Sequence, residues 1–577
     1  MNKRSSICRI GLVAAIGLLA FQACKKEAKL QPDPPKKDTV ATIISPVNDA
    51  APVKTQGFFM DDWKPKLLTI NGHTDAPIPI GDAESTVTIF AHDIVNKVSP
   101  YLFGNNVNTY MTQVVTEPLL MRHITNLSPK IIRAPGGSVT DLYFWNAQPG
   151  KVPADIPAQI NVNSATVGVD STLWYGKNTA AWTLSIDNYY QALLTTNNTG
   201  LIAVNYGYAR YGTSAHPDQA AAHLAADWVR YDRGRTKYWE VGNENYGIWE
   251  AGYLIDTKKN KDGQPEALTG ALYGKHFRVF ADSMRKAAAE IGVKIKIGAV
   301  MTADDVVAGS TIANWNKEVA ATAGDAIDFY TVHSYFTPYL ESSSAETILN
   351  SAHTVSRAIP AYLLASTGTE KPIALGEWNI QAMGKNQAVS NISGLHAAMT
   401  LGAIASYKYG LACKWNLANN WANGDDMGMF NNGDEPGASK WNARPAFFYM
   451  YYFQKYFGDR MVSSTVSGNN DIKSYASSFS SGHTGTVLVN TGTKDHLVSI
   501  NFQDFTPGKN YYYYVLNGGT ESEFSRKVYI NGIGPSGVSG GPTDYSTISP
   551  FSDIWGPGSI KVKVPAYGAV FLMAEGK

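Results

Sequence analysis

Residues 237–249 read Lys-Tyr-Trp-Glu-Val-Gly-Asn-Glu-Asn-Tyr-Gly-Ile-Trp, and residues 372–379 read Pro-Ile-Ala-Leu-Gly-Glu-Trp-Asn. Each is a short apolar run that passes through a glycine to a carboxylate, with a tryptophan close behind. Apolar runs without polar alternation fit strands covered on both faces, as in a parallel sheet. Similar runs predict strands near 101–107, 130–134, 200–205, 295–300, 327–333 and 411–416, beside those near 237–243 and 372–377. Helical stretches are predicted near 115–127, 184–196, 217–231, 270–292, 309–323, 345–365, 389–409 and 442–457. Eight strands alternating with eight helices favour an α/β fold of the (β/α)8 type, with insertions, over an open doubly wound sheet.

The barrel is assigned to residues 86–458, and the polar stretch 147–183 reads as a loop insertion. Beyond 458 the helical period gives way to short runs divided by Gly, Ser and Asn, such as Ser-Ile-Lys-Val-Lys-Val from Ser559, which predict a β-sandwich over 459–577. The run 85–100 is expected to add a strand to that sandwich, while residues 41–85 form an N-terminal extension of uncertain fold.

The chain has 577 residues, 44% hydrophobic and 17% charged, against about 25% charged in an average soluble protein. With 49 Lys+Arg against 48 Asp+Glu, no broad basic field exists to hold nucleic acid, which is excluded as an expected partner. The 32 Tyr and 13 Trp supply flat surfaces that suit sugar rings as well as core packing. Three cysteines in this length exclude a disulfide scaffold. No HExxH or CxxC occurs, so no metal or other cofactor is implied. Gly532–Gly537 matches GxGxxG and Gly537–Gly541 matches GxSxG, but both lie in one Gly/Pro/Ser loop with no helix behind it. Asp425-Asp426 and the turn Asn431–Glu435 offer oxygen ligands without the ordered spacing of a calcium loop, and read as a solvated loop.

At the amino terminus Lys3, Arg4 and Arg9 precede an apolar run from Ile10 to Phe21, too short for a membrane span, which needs about 20 residues. Ala23-Cys24 then resembles the lipobox of bacterial lipoproteins, which makes Cys24 the expected lipidation site; Phe21 and Gln22 depart from the usual pattern, and ordinary secretion is the alternative. Exported, outer-membrane or cell-surface localisation with a lipid anchor is expected. Removing 1–23 takes the formal charge from +1 to −2. Residues 24–40 are Lys-, Pro- and Asp-rich and read as a tether. Cys413, in an apolar run, is expected to be buried and inert.

In such a barrel the reactive groups stand at the carboxyl ends of the strands, whose loops line one mouth. Glu244 and Glu377 are placed there by their strands, facing one cavity. A single glutamate at a strand end is as well explained by solvation or ion pairing, but two of them suit glycosidic bond cleavage, where one group protonates the leaving oxygen and the other attacks or stabilises the sugar cation. Glu240 points the same way but deeper, as a structural acid to be paired with an arginine. Arg133 is a candidate partner for either Glu377 or Glu240.

The set Gly242-Asn243-Glu244, Gly376-Glu377-Trp378-Asn379, Arg133-Ala-Pro135-Gly136-Gly137 and His333-Ser-Tyr335 resembles the clan A glycoside hydrolases, most closely the α-L-arabinofuranosidases of glycoside hydrolase family 51, over roughly 86–577. The resemblance implies Glu244 as general acid/base and Glu377 as nucleophile of a retaining double displacement. It also implies that Asn243 bonds the sugar hydroxyl beside the anomeric carbon, that Tyr335 bonds the nucleophile, and that His333 supports the site. Two positions that touch the sugar in the family differ: Asn108 stands where it has Glu, and Ser138 where it has Asn. Specificity follows the pocket rather than the catalytic pair, so arabinofuranose is the leading expectation, with an endo-acting galactanase, agarase or xylanase as the alternative. Tyr143, Trp145, Tyr246, Trp249, Trp378, Trp415 and Trp421 sit beside strand ends and are candidates for stacking on several sugars, as are Asn205 and Asn416 for polar contacts. The partner expected is a poly- or oligosaccharide substrate. From a different class, a silent surface glycan-binding lipoprotein has no use for a second buried acid.

Overall fold

A computed structural model describes residues 43–576 apart from 47, 305–310, 382, 385 and 556–558. The expected signal, Cys24 and the whole of the expected tether lie outside the described residues. None of the described helices is long and apolar enough to cross a membrane.

Eight strands close a parallel barrel: β1 Gly104–Asn106, β2 Ile131–Ala134, β3 Thr199–Val204, β4 Tyr238–Val241, β5 Lys296–Val300, β6 Phe329–Tyr335, β7 Ile373–Asn379 and β8 Leu411–Lys414. They pair in sequence order, with β8 closing on β1. A helix follows each strand: α1 Pro118–Leu127, α2 Ile186–Thr196, α3 Pro217–Asp232, α4 Gly270–Glu290, α5 Thr311–Ala323, α6 Ala345–Thr367, α7 Asn391–Ser406 and α8 Pro445–Tyr456. The expected alternation is therefore found throughout. Local signals start several helices: Ser185, Thr269, Ser344 and Ser390 accept the first free backbone N–H groups of α2, α4, α6 and α7. Pro118, Pro217 and Pro445 occupy first turns, where a missing N–H costs nothing. α7 is buried all round because the second domain covers the face that solvent would otherwise meet.

The extension of uncertain fold has a definite place. A short 3-10 turn at Gly57–Met60 drives Phe59, fully buried, under the amino-terminal end of the barrel. There it packs with Tyr101, Ile131, Leu201, Tyr238, Phe329, Ala374, Leu411 and Cys413. Gly410 accommodates it, since a Cβ there would come within 2.3 Å of the Phe59 ring. Cys413 is buried as expected, and burial pushes its thiol well above the usual range.

The carboxyl-terminal domain is an eleven-stranded mixed sheet curled into a sandwich. Ser85–Lys97 joins it as expected, antiparallel to Arg460–Gly468 and parallel to His496–Gln503. Inward residues of alternating strands, among them Val87, Ile89, Leu488, Val498, Ile500, Val562, Val570 and Leu572, make its core. Thr74–Asp75 also adds to this sheet, beside Phe551–Ile554. The sequence from Gly518 to Pro550 departs from the strand pattern: it is mostly loop, and its Phe524, Val528, Ile530 and Tyr545 pack into the barrel's own hydrophobic cluster.

Candidate active site

The site is built around Arg133, a fully buried guanidinium at the end of β2. Its Nε donates to Glu240 Oε2 at 2.7 Å and its Nη1 to Glu377 Oε1 at 2.8 Å, so the two partners that the sequence offered as alternatives are both taken. Nη1 also reaches Asn106 Oδ1 at 3.0 Å and Nη2 reaches Asn243 Oδ1 at 3.0 Å. The carboxylate charges of Glu240 and Glu377 outweigh burial and raise the Arg133 pKa further, so the guanidinium stays charged. Glu240 is the deep structural acid, its second oxygen accepting from Thr331 Oγ1 at 2.6 Å.

Glu377 lies on β7, buried, with Tyr335 Oη donating to its Oε2 at 2.7 Å. With Arg133 on the other oxygen, this arrangement fits an anion. Register shifts at Val332/His333 between β6 and β7, and between Leu375 and Trp378 along β7 and β8, bracket these residues and re-aim the strand ends. Gly376 keeps the interior open: a Cβ there would lie 2.8 Å from Thr331 Oγ1 and 3.0 Å from His333 Nε2.

Glu244 follows the tight turn after β4. Gly242 has φ +82°, and a Cβ there would collide with the Asn245 amide. Glu244 itself sits at φ +41°, a left-handed conformation that costs a non-glycine residue about 1–3 kcal/mol and persists only where its surroundings impose it. Asp141 does so: its carboxylate accepts from the backbone N–H groups of Tyr206, Gly207 and Asn243 and from Asn245 Nδ2. Glu244 Oε1 is 3.0 Å from His333 Nδ1 and its Oε2 accepts from Trp249 Nε1 at 2.9 Å. Burial alone would raise its pKa, but the His333 hydrogen bond and charge, the Trp249 bond and the charge of Arg133 outweigh burial and hold the carboxyl below its usual range.

Oxygens of Glu244 and Glu377 and a His333 nitrogen all lie within 4.8 Å of one another. Among the described residues this is the one acid–histidine–acid group near enough to hold an ion. Arg133, seated on Glu377, already supplies a cation there, so a metal would enter against a fixed positive charge.

The other expected site residues divide. Asn243, His333, Tyr335, Trp249 and Ser138 gather at this centre, Ser138 through a bond to Glu250. Tyr246 packs beside Trp249 at 6.2 Å and is largely buried. Trp415 covers Gly137, where φ is +55° and a Cβ would lie 2.6 Å from the indole. Asn108 is buried, its Nδ2 committed to Tyr110 Oη and Ala418 O. Several expectations are corrected. Trp378 is fully buried, with Lys414 Nζ over its ring, and no sugar reaches it. Asn205 spends its side chain on Tyr143 O, Tyr211 Oη and the Tyr208 N–H, so it organises a loop. Tyr143 and Trp145 are core residues around Trp228, and Asn416 is fully buried. The Asp426/Glu435 region is neither solvated nor a calcium loop: both acids are buried on Arg444, at 2.7 and 3.0 Å, and Glu435 also takes Arg526.

Sequence reasoning missed Asn106, Tyr110, Asp141 and Glu250. Asn106 ends β1, so strand-end position was the available signal. Tyr110 and Glu250 sit in loops and Asp141 in a 3-10 turn at Gly137–Leu142, where only the folded geometry brings them to the centre.

No family model matches this chain, and no curated protein matches it. Solved structures do match. An α-L-arabinofuranosidase from Thermotoga maritima, in its arabinose complex, aligns with 85% of this chain and 99% of its own at 16% identity, with a TM-score of 0.57. A family 51 α-L-arabinofuranosidase from Bifidobacterium longum aligns with 86% of this chain and all of its own at 14% identity and TM-score 0.58. A family 44 xyloglucanase from Paenibacillus polymyxa aligns with 85% and 99% at 11% identity and TM-score 0.54. At these identities the likeness is one of fold: a barrel with an appended β-sandwich, the architecture of these glycoside hydrolases.

Proposed function

We propose that this protein is a retaining glycoside hydrolase in which Glu377 attacks the anomeric carbon and Glu244 serves as acid and then base. The observation that carries this reading is the pair itself: two carboxyls from opposite strand ends, with oxygens within 4.8 Å, one clamped by Arg133 and Tyr335 and the other by His333 and Trp249. Such closeness suits direct attack, since retaining pairs stand about 5–5.5 Å apart and inverting ones leave about 6.5–9.5 Å for water. Asn243 is placed to bond the hydroxyl next to the reacting carbon. The N-terminal signal and Cys24 fit export to a cell surface, with polysaccharide as the substrate class and arabinofuranosides as the leading sugar.

Glu244→Ala tests the acid. Turnover of substrates with poor leaving groups is expected to fall about 10²–10⁴-fold. Aryl glycosides with acidic phenols, which need no protonation, should still form the glycosyl-enzyme and then stall. Because Glu244 is held below its usual range in the free protein, the acid form is lost as pH rises through that lowered value. Activity on poor leaving groups should therefore decline from acidic pH upward, while the first step on activated substrates lacks this limb. Equal losses in the rate of the first step on both substrate types would remove Glu244 from the acid role.

One observation favours the endo-acting alternative. Large apolar side chains stand exposed around the barrel mouth: Trp182 on the insertion, Ile248 and Trp249 after β4, Tyr339 and Leu340 after β6, and Met383 after β7. Tyr110, whose hydroxyl feels the charge of Glu377, leads through Trp174 at 6.0 Å to Trp182 at 5.9 Å, a file of rings running outward from the nucleophile. This file of rings beside Glu377, with the Trp249 indole bonded to Glu244, suits a chain longer than one sugar. Trp182→Ala is expected to raise KM for long oligosaccharides by roughly 5–30-fold, the worth of about 1–2 kcal/mol of stacking, without changing turnover of a monosaccharide aryl glycoside. Product sizes from polysaccharide give the second reading: oligosaccharides for endo action, monosaccharide for exo action.

A further inference from the structure

The proposed reaction depends on where the Asn243 amide points, and the structure grips that amide at both ends. Its Oδ1 accepts from Arg133 Nη2 at 3.0 Å, and its Nδ2 donates to Glu250 Oε1 at 2.9 Å. Glu250 is only 1% exposed, and the same Oε1 accepts from Ser138 Oγ at 2.8 Å. Its other oxygen, Oε2, is buried and without a hydrogen-bond partner. The strongest charges acting on it are those of Asp141 and Glu244, both of its own sign.

Asp141 and Glu250 are neighbouring buried acids with opposite equipment. Asp141 accepts four donors, three of them backbone N–H groups, and these oppose the burial that raises its pKa to about 7. Glu250 has two donors on one oxygen and none on the other. A charge spread onto a bare, buried oxygen facing two other acids is far costlier than a bare hydroxyl in the same place. Where two titratable groups sit in environments of opposite character, one keeps its proton.

We propose that Glu250 is a positioning residue that works uncharged: it accepts from one Asn243 Nδ2 proton and from Ser138, which leaves the second Nδ2 proton for the sugar hydroxyl beside the anomeric carbon. This rests on the glycosidase reading for the sugar, but not for the state of the acid. Burial first, then the Asp141 and Glu244 charges, raise the Glu250 pKa well above its usual value. Because Ser138 and Asn243 share one acceptor, Glu250 also ties the β2 loop to the β4 loop, at the two positions where a sugar is read.

The test compares Glu250→Gln and Glu250→Ala with the parent protein on an aryl glycoside and on its counterpart lacking the hydroxyl next to the anomeric carbon. Glu250→Ala should lower kcat/KM about 30–100-fold on the full sugar, but no more than about threefold on the deoxy sugar, whose missing hydroxyl leaves Asn243 nothing to hold. Glu250→Gln, which keeps the acceptor and cannot ionise, should restore kcat/KM to within about fivefold. Equal losses on both sugars, or a glutamine variant as poor as the alanine one, would overturn the proposal. If the parent protein turns over no glycoside, the function reading falls and thermal unfolding decides Glu250 by itself. An acid whose folded pKa is raised above the unfolded value of about 4.3 contributes fully only below that value, and its contribution is lost as pH rises. The Tm of the parent should therefore fall relative to that of Glu250→Gln between pH 4 and pH 8; parallel profiles would overturn the proposal, whether or not the alanine variant folds.

Discussion

Glu377→Ala is expected to lower kcat on an activated aryl glycoside by at least about 10⁴-fold, the loss typical of removing a nucleophile that acts as part of a unit. The fold should survive, since Arg133 keeps Glu240 as its buried counter-charge when Glu377 is removed. The cavity left lies within reach of the anomeric carbon, so azide should enter it, attack in place of the carboxylate and restore turnover. The product identifies the step: a small anion attacking where Glu377 stood gives the glycosyl azide of inverted configuration, because one displacement replaces two. Rates and product configuration measured with and without azide check this. A variant that keeps full activity would show that Glu377 is not the nucleophile.

The second large effect concerns Arg133, and here stability and chemistry move together. Replacing it with methionine keeps the volume but leaves Glu240 and Glu377 buried with no cation. Removing one partner of a buried ion pair costs about 3–5 kcal/mol, largely because the remaining charge is stranded. Two acids are stranded here, and each responds by keeping its proton. Their folded pKa values would then exceed the unfolded value of about 4.3, so the stability deficit should be smallest below that pH and widen as pH rises through the new folded values. Urea unfolding at pH 5 and pH 8 measures this; the deficit should be larger at pH 8. A protonated Glu377 cannot attack, so activity should also be lost at neutral pH. Adding Glu240→Gln to Arg133→Met should recover part of the stability and none of the activity, because it relieves one stranded acid and leaves the other. A deficit independent of pH would mean that packing, not charge, is what Arg133 provides.

Much of this site was legible as sequence because strand ends are local features. Glu244 and Glu377 each follow an apolar run and a glycine, and a closed parallel barrel carries all strand ends to one mouth whatever its loops do. The same logic found Arg133, Asn243, His333 and Tyr335, which lie at the ends of β2, β4 and β6. It failed where a residue's role is set by what covers it. Trp378 follows Glu377 and Trp249 follows Glu244 within a few residues, yet one is fully buried and the other 39% exposed. Nothing within a few residues distinguishes them, because the difference lies in β8 packing over Trp378 and in the open loop that carries Trp249.

The sequence by itself determined the alternation of eight strands and helices, the sandwich that follows and the pair of carboxylates, since these rest on hydrophobic period, turn residues and position along a strand. Only the tertiary structure decided that Arg133 serves both Glu240 and Glu377, that Phe59 floors the barrel, that Asp426 and Glu435 are buried on Arg444, and that Glu250 holds Asn243. The physical reason is common to all four. A side chain's partner and charge state depend on which distant segments exclude water around it, and that exclusion exists only once the chain has closed.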